Sequence, residues 1–437
     1  MSDNTKNIPE IPAKKKLSGK MIALIAVVCV VVTACAVLLG VYFGTLQDPM
    51  DLMEIPVKEL PVSFRTTVAR TDGYLGHPDL ALTDNGDFIV VYPEGHGRGN
   101  ILLQRYEVSA GTGEREWSEP VLDIPESWTT SQETPTVYRL KMSDGSFKTV
   151  LISGCPSWNG EEQANGFNCS VSDGEGYEWT EFSNWYGTKW AEDTGNEPYD
   201  IIVAMSSLTQ LKGENGNYID KWMGTFHDYS FTNYYSYLTF ENGNAVWSEP
   251  QVFIPEQKDY YAPLGLCEME IVDTGSEWIM IGRANARNSN ALACVSTDQG
   301  KTWSKIVELP NCLTGDRHKA EYDATTGKWL ISFRQVLPGK ESAFSTDRIM
   351  GAGWVAWVGD TQTLLSLAQG KTDNGFGDAL ILLGKEKDTL TNIDCGYSGT
   401  VCIDGTYTLV SYGEFDSSAT NPYIMAVTFK LSDLGIE

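Results

Sequence analysis

The sequence predicts an all-β protein, a six-bladed β-propeller preceded by a single N-terminal transmembrane helix. Three observations lead to this prediction. Six strand-like segments each follow a turn signal of one kind, four tryptophan motifs recur at intervals near 60 residues, and an unbroken apolar run lies close to the amino terminus. One hairpin signature in each period of about 60 residues is typical of propeller blades, which are small antiparallel sheets repeated around an axis.

The six turn signals each contain a glycine and precede a segment rich in β-branched and aromatic residues, which predicts a hairpin. The turns and the strands that follow them are Asp84–Asp87 with Phe88–Tyr92, Asp144–Ser146 with Thr149–Ile152, Glu214–Asn217 with Trp222–Phe226, Thr274–Ser276 with Trp278–Gly282, Thr326–Lys328 with Trp329–Phe333, and Asp404–Thr406 with Tyr407–Tyr412. Six hairpins of one kind predict six blades. Outside the apolar run, helical periodicity is expected only in a short helix near Thr361–Gln369.

Four tryptophans mark the repeat. Trp117, Trp179, Trp247 and Trp303 are separated by 62, 68 and 56 residues. The last of them ends the stretch 296–303, Ser-Thr-Asp-Gln-Gly-Lys-Thr-Trp, whose serine and aspartate can bond turn N–H groups while the glycine takes a positive φ. This stretch resembles the Asp-box (BNR repeat) of sialidases, or neuraminidases, and related propellers. Such a box stabilises a turn and presents no reactive group, so it predicts architecture and not chemistry.

The apolar run at 21–43 is long enough to cross a bilayer. Lys14, Lys15, Lys16 and Lys20 precede it and acidic residues follow it, which predicts a cytoplasmic amino terminus and an extracellular propeller on the cell membrane. The expected organisation is a basic cytoplasmic tail at 1–20, the anchor at 21–43, a stalk at 44–68 and the propeller at 69–434. Two alternatives remain open, because Val32–Cys35 resembles a lipoprotein cleavage box and Ala34–Ala36 a signal-peptidase site.

Composition narrows the classes of partner. The formal net charge of −26 disfavours binding to nucleic acid or anionic lipid, so an anionic substrate would need arginines gathered in a cleft. Nine cysteines are present without a C-x-x-C pair, which argues against a zinc cluster. Buried free thiols are expected, with local pairing of Cys155 to Cys169 or Cys395 to Cys402 as the alternative. No cofactor is expected.

Two arginines occupy matching positions in neighbouring hairpins. Arg283 and Arg334 each end a hydrophobic strand that begins with tryptophan, so in successive blades they would face a common opening. The chain also resembles a bacterial subgroup of the sialidase superfamily between about 74 and 412. The motifs that carry the resemblance are Gly76–Asp79, Tyr92–Gly99, Gln132–Thr136, Phe226–Asp228, Cys267–Glu268, Gly315–Lys319 and Gly396–Gly399.

The resemblance implies a site that holds the carboxylate of sialic acid in an arginine cluster and attacks the anomeric carbon with tyrosine. By this likeness Tyr397 would be the nucleophile, Glu268 its base, and Arg283 and Arg334 the carboxylate ligands, with Arg317 competing for the second arginine role. A neutral tyrosine suits a substrate whose reacting carbon already bears a carboxylate. Its ordinary pKa of about 10 requires a base within hydrogen-bond reach.

The sequence departs from the sialidase pattern in two ways. The stretch 75–78 reads Leu-Gly-His-Pro, without the arginine that opens the first sialidase blade, and Arg98, Arg317 or His77 would have to replace it. The general acid is also unassigned, with Asp79 and Glu133 as candidates. His318 and His96 are further candidates for contact with substrate. The four histidines show no spacing typical of a metal site, so none is expected.

Three functions therefore remain in view. The leading one is a surface-anchored exo-glycosidase that releases terminal sialic acid or a related acidic sugar. The second is a glycosidase for another sugar that uses two carboxylates, such as Glu268 and Glu133. The third is a non-catalytic propeller that binds glycans, because one fold serves many functions.

Overall fold

The structure is a computed structural model that describes residues 18–44, 48–96, 99–109, 111–130, 133–156, 165–338, 350–387 and 393–437. The chain divides into two compact units, Met1–Asp51 and Leu52–Glu437. The first contains an α-helix at Gly19–Gly44. In the described part of the chain no helix is both long and apolar enough to cross a membrane. The transmembrane anchor predicted at 21–43 is therefore not supported, nor is the membrane attachment inferred from it.

The second unit consists of six antiparallel sheets, which we number as blades 1 to 6 in chain order. Blade 1 contains Asp79–Leu82, Phe88–Pro93, Ile101–Val108 and Arg115–Trp117. Blade 2 contains Glu133–Lys141, Phe147–Gly154, Phe167–Asp173 and Ser183–Trp185. Blade 3 contains Ile201–Lys212, Tyr218–Asp228, Asn233–Glu241 and Asn244–Trp247, and Gln251–Val252 also pairs with its third strand. Blade 4 contains Leu266–Asp273, Trp278–Ala284, Leu292–Ser296 and Val307–Glu308.

Blades 5 and 6 complete the set. Blade 5 contains Gly315–Asp323, Lys328–Leu337, Met350–Asp360 and Ala379–Lys385, and blade 6 contains Ser398–Ile403, Thr406–Gly413 and Tyr423–Lys430. Each first strand contacts the first strand of the next blade, and that of blade 6 returns to blade 1, so the six strands close a ring. This arrangement is a six-bladed β-propeller, and the fold class predicted from the sequence is confirmed in that respect.

The chain enters the propeller earlier than residue 69. Arg65–Ala69 pairs antiparallel with Tyr423–Lys430 and supplies the fourth strand of blade 6. Val57–Glu59 pairs in parallel with Ala379–Lys385 at the edge of blade 5. Seven of the 25 residues in the predicted stalk at 44–68 therefore belong to sheets, and Arg65–Ala69 supplies the strand that blade 6 would otherwise lack.

The six predicted hairpin turns all join the first strand of a blade to its second. The glycine in every one of these turns has a positive φ, between 71° and 96°. The bonds expected at 296–303 are also present, in a different turn that follows the third strand of blade 4: Ser296 Oγ accepts from Gly300 N at 2.8 Å, and Trp303 Nε1 donates to the Gly300 carbonyl at 3.1 Å. These local bonds explain why the turns could be predicted from short sequence motifs.

Short helices lie between and beside the blades. The α-helices are Thr188–Thr194, Lys258–Tyr261 and Thr361–Ala368, and the 3₁₀-helices are Pro49–Leu52, Val62–Phe64, Glu126–Thr130, Pro255–Gln257, Ala262–Leu264, Asn311–Leu313 and Leu431–Leu434. The helix at Thr361–Ala368 confirms the one predicted there, and Asp360 caps it by accepting from Thr363 N at 2.7 Å. All nine cysteines are free thiols, and six of the seven in the propeller are buried, as the sequence favoured.

Candidate functional site

In each blade the first strand begins and the second strand ends at the same mouth of the propeller, because the two strands are antiparallel. Three of the residues lie at the starts of first strands: Glu133 in blade 2, Glu268 in blade 4, and Tyr397 directly before the first strand of blade 6. Arg283 and Arg334 lie near the ends of the second strands of blades 4 and 5. The topology alone therefore brings these five side chains to the same end of the molecule.

Irregular pairing directs these side chains into the mouth. The first strands of blades 4 and 5 break register between Cys267 and Glu270 and between Asp316 and Lys319. Glu268 and Arg317 occupy the matching bulge positions, with φ of 48° and 52°. Left-handed backbone at a residue with a side chain costs about 1–3 kcal/mol and is concentrated at functional sites. Both bulges therefore store strain, and the one at Glu268 lies where that side chain enters the cavity.

Tyr397, Glu268 and Arg283 form one hydrogen-bonded cluster. The Tyr397 hydroxyl donates to Glu268 Oε1 at 2.6 Å, and Arg283 Nη1 donates to the same hydroxyl at 2.7 Å. Arg283 Nη1 also lies 3.1 Å from Glu268 Oε2. Gly396 lets the chain beside Tyr397 pass close to blade 5, because a Cβ at this position would lie 2.9 Å from the Arg334 Cα. A phenol, its hydrogen-bond acceptor and a cation thus share one point of the cavity wall.

Asp316 holds the arginines beneath this cluster. Its side chain is fully buried, and its carboxylate contacts Arg283 Nε at 3.2 Å, Arg287 Nη1 at 2.5 Å and Arg334 Nη2 at 2.7 Å. Burial favours the neutral acid, but the three guanidinium groups outweigh it and hold the pKa of Asp316 well below its usual range. One carboxylate therefore fixes the orientation of three cations from two blades.

The pKa values of the two glutamates in the cavity are shifted in opposite directions. Burial alone would raise the pKa of Glu268, but the charges of Arg283 and Arg317 outweigh it and the pKa lies below the usual range. Burial raises the pKa of Glu133, and a hydrogen bond from Thr134 only partly offsets this. Environments that separate two carboxyl groups in this way assign one as the acid and the other as the base.

Tyr397 is a neutral phenol in the resting site. Burial raises its pKa well above the ordinary value, and the charge of Glu268 adds to the effect while Arg283 opposes it. A proton acceptor is already in place, because the hydroxyl points at Glu268. The arrangement can therefore transfer the phenol proton when a reacting group arrives, as an activated nucleophile requires.

Two histidines and two further carboxylates lie beside this cluster. His77 Nδ1 lies 3.6 Å from Glu133 Oε1, and its ring centroid is 5.2 Å from that of Tyr397. His96 Nδ1 lies 3.5 Å from Asp394 Oδ2, and the Tyr74 hydroxyl contacts both groups at 2.8 Å. Burial lowers the pKa of His77 to about 3, whereas the hydrogen bond to Asp394 raises that of His96 above its ordinary value.

These walls enclose a cavity of about 690 Å³ to which all six blades contribute. Its ionisable side chains are His77, His96, Glu133, His227, Tyr229, Cys267, Glu268, Arg283, Arg334, Asp394 and Tyr397. Apolar contact comes from Ile202, Val203, Phe231 and Ile393. A volume of this size is in the range of small-ligand sites, which combine apolar walls with a few placed polar groups.

The structure brings most of the predicted site residues together. Tyr397, Glu268, Glu133, Arg283, Arg334, His77 and His96 all line this cavity. Of the other candidates that the structure describes, Asp79, Arg317 and His318 are buried outside its lining. Arg98 lies outside the described residues, so its placement stays a prediction.

Each of the three that lie elsewhere has a partner that explains its position. Asp79 accepts backbone N–H bonds from Leu80 and Val137 at 2.9 Å, so its carboxylate ties blade 1 to blade 2. Arg317 donates to Ser206 Oγ at 3.2 Å below the bulge. His318 Nε2 lies 2.9 Å from the Leu313 carbonyl. The structure therefore places Glu133, and not Asp79, where a general acid could meet substrate.

Sequence reasoning assigned no role to Asp316, Asp394 or His227. Asp316 and His227 lie inside motifs that the resemblance used, but the burial of Asp316 beneath three arginines depends on the contact between blades 4 and 5. Asp394 faces the cavity from a loop that no local pattern marks. Register would have found Asp316, since it pairs with Arg334 as Cys267 pairs with Arg283.

Comparison with solved structures finds this architecture at low sequence identity. A protein of unknown function from Dyadobacter fermentans DSM 18053 has a TM-score of 0.57 and 14% identity over 84% of this chain and 97% of its own. A Hadza microbial sialidase has a TM-score of 0.51 and 14% identity over 83% of this chain and 66% of its own. The α-L-arabinanase of Penicillium chrysogenum has a TM-score of 0.51 and 10% identity over 85% of this chain and 99% of its own.

No protein-family model and no curated protein matches the chain. Identities of 10–14% with these solved structures show a common fold and nothing finer. The second unit is accordingly a six-bladed propeller of the architecture found in a sialidase and an arabinanase.

Proposed function

We propose that this protein is an exo-glycosidase that releases sialic acid or a related acidic sugar from the end of a glycan. The observation that carries the proposal is the contact of the Tyr397 hydroxyl with both Glu268 and Arg283, at 2.6 Å and 2.7 Å, in the wall of a cavity. A phenol with its base in place suits a reacting carbon that bears a carboxylate, because a carboxylate nucleophile would be repelled.

In the proposed reaction Glu268 takes the phenol proton while the Tyr397 oxygen attacks the anomeric carbon. Glu133, whose pKa is raised by burial, gives its proton to the departing glycan oxygen. Water then releases the sugar from the tyrosine, with Glu133 taking a proton from that water and Glu268 returning the proton to the phenol. Each proton is returned, so the enzyme ends as it began.

Arg283 and Arg334 would hold the substrate carboxylate. Both line the cavity and are held by Asp316 from below, so their guanidinium groups are oriented before substrate arrives. Preorganised cations of this kind supply both charge and geometry. The sugar ring would lie against Ile202, Val203 and Phe231.

The test is the Tyr397→Phe variant with a fluorogenic sialoside. We expect kcat to fall at least about 1000-fold, because the nucleophilic oxygen is removed. Tyr261→Phe is the matched control, since it deletes another buried hydroxyl, bonded to the Phe253 carbonyl at 2.9 Å, away from the cavity. An unchanged rate in Tyr397→Phe would refute the proposed mechanism.

A second candidate is a glycosidase for another sugar in which Glu268 is itself the nucleophile and Glu133 the acid. The opposite pKa shifts of these two residues favour it as much as they favour the first. A fluorinated substrate that traps the glycosyl-enzyme separates the two, because mass spectrometry locates the sugar on Tyr397 or on Glu268. A panel of sialosides and uronides then identifies the sugar class. Binding to glycans without turnover of any of them would instead favour a non-catalytic propeller.

A further inference from the structure

We propose that His77, His96 and Asp394 bind a divalent transition-metal ion of the zinc type in the wall of the cavity. The three side chains come from three segments: the approach to blade 1, the loop after its second strand, and the loop before blade 6. One ligand atom from each lies within 4.8 Å of the others. Two imidazoles and a carboxylate are a donor set that suits zinc and related ions.

The spacing of the donors fits one ion. In a tetrahedral zinc site with bonds of about 2.1 Å, neighbouring ligand atoms lie about 3.4 Å apart. His96 Nδ1 and Asp394 Oδ2 are 3.5 Å apart, and His77 Nδ1 and Glu133 Oε1 are 3.6 Å apart. The widest separation, up to 4.8 Å, would have to close by about 1.4 Å to reach this spacing, which requires the side chains to rotate as the ion binds. Glu133 is outside this group of ligand atoms, but its carboxylate lies beside His77 and could accept a hydrogen bond from a metal-bound water.

His77 is the independent sign that a ligand is missing. Its side chain is only 4% exposed, yet among the described residues no polar atom makes a hydrogen bond to its Nδ1. Buried polar nitrogens are almost always paired, because an unpaired one has lost its hydrogen bond to water and gained none in return. Its backbone φ of 46° is also strained for a residue other than glycine, so the fold keeps the ring there at a cost.

The surrounding groups would orient the ligands. Tyr412 donates to Asp394 Oδ1 at 2.7 Å, which leaves Oδ2 turned toward His96. Hydrogen bonds of this kind to a ligating carboxylate are a regular feature of metal sites. The Tyr74 hydroxyl now bridges His96 and Asp394 and would give up its bond to His96 when the ion enters.

The ion would have a role in recognising substrate, and this part rests on the proposed function. His77 stands where the sialidase pattern has an arginine. A cation held beside Arg334, whose Nη1 is 4.0 Å from Asp394 Oδ1, would replace the positive charge that this arginine provides. It would therefore strengthen the binding of a sugar carboxylate.

The test measures Zn²⁺ binding to the protein alone by calorimetry and by metal analysis after dialysis, with Co²⁺ absorption as a report on geometry. We expect one equivalent per chain, and a loss of affinity of at least tenfold in His77→Ala and in His96→Ala. His227→Ala is the matched control, because His227 lines the same cavity but its Nδ1 lies 3.1 Å from the Asp228 carbonyl. Circular dichroism verifies that each variant is folded.

Wild-type protein that takes up no stoichiometric Zn²⁺, or folded His77→Ala and His96→Ala variants that bind as wild type does, would overturn the metal site. This result does not depend on turnover, so it is separate from the fate of the glycosidase proposal. Free sialic acid is then titrated with and without Zn²⁺. If Zn²⁺ tightens the binding of sialic acid to wild type but not to His96→Ala, the role in recognition is supported. If wild type binds sialic acid equally well with and without Zn²⁺, that role is overturned.

Discussion

Asp316→Asn isolates the electrostatic support of the candidate site. The substitution keeps the size of the side chain and one oxygen but removes the charge that faces Arg283, Arg287 and Arg334. Arg283 retains Glu268, whereas the described ion pairs give Arg287 no other carboxylate and leave Arg334 only Asp394, at 4.0 Å. Removing one partner from a buried ionic cluster typically costs about 3–5 kcal/mol, because uncompensated charge stays buried.

The expected result is a free energy of unfolding about 3–5 kcal/mol lower at pH 7, measured by denaturant unfolding. Asp378→Asn is the control, since it breaks an ion pair with Lys328 at 2.8 Å. The Asp378 carboxylate is 38% exposed, and ion pairs at the surface contribute about 0–1 kcal/mol. The pKa of Asp316 is depressed in the folded protein, so its contribution is present above the ordinary value of 3.8 and is lost as the pH falls below it.

The Michaelis constant provides a second readout. Without Asp316 the guanidinium groups of Arg283 and Arg334 lose their common anchor, so we expect KM for an acidic sugar substrate to rise more than kcat falls. If Asp316→Asn unfolds within 1 kcal/mol of Asp378→Asn and keeps the wild-type KM, the reasoning about this cluster is wrong.

Three further predictions concern stability. Burial raises the pKa of Glu270 to about 7 from an ordinary 4.5, so this group lowers stability by up to about 3 kcal/mol as the pH rises from 4.5 to 7; in a pH series of unfolding curves Glu270→Gln should remove that share of the slope and leave the share of Glu321, whose pKa burial also raises to about 7, and an unchanged slope would contradict the reasoning. A Cβ in Gly315→Ala would overlap the Arg334 carbonyl oxygen, so we expect a lower melting temperature and lost activity, and wild-type values for both would contradict the geometry. Ser296→Ala removes the acceptor of the Gly300 N–H, so unfolding should become easier by about 1 kcal/mol while activity is unchanged; a change in activity would show that this turn influences the site.

Local patterns predicted the blades because the bonds that define them are local. The six glycine turns and the hairpin that ends at Trp303 involve partners a few residues apart, so a short motif carries the whole interaction. Helix Thr361–Ala368 is marked in the same way by its capping aspartate.

The site was predictable only in part. Matching strand positions and the resemblance pointed to Tyr397, Glu268 and Arg283, which the structure places in contact although 129 residues separate the tyrosine from the glutamate. Other features depend on which blades become neighbours around the ring. They are the burial of Asp79, its bond from Val137 N, and the ion pairs of Asp316 with the arginines. Such pairings have no local signature, and neither do the two strands contributed from the segment predicted as a stalk.

The way the ring closes has a consequence for biosynthesis. Arg65 pairs with Val427, so the strand Arg65–Ala69 has no partner until Tyr423–Lys430 has been synthesised. Contacts across so long a loop form slowly, because the entropy of bringing the ends together is lost before any contact is gained. A nascent chain emerging from the ribosome would hold five nearly finished sheets with an unpaired edge on each side of the gap. Unpaired edges can join to other chains, so the interval before the final segment emerges is when this protein is most exposed to misassembly and to chaperone capture.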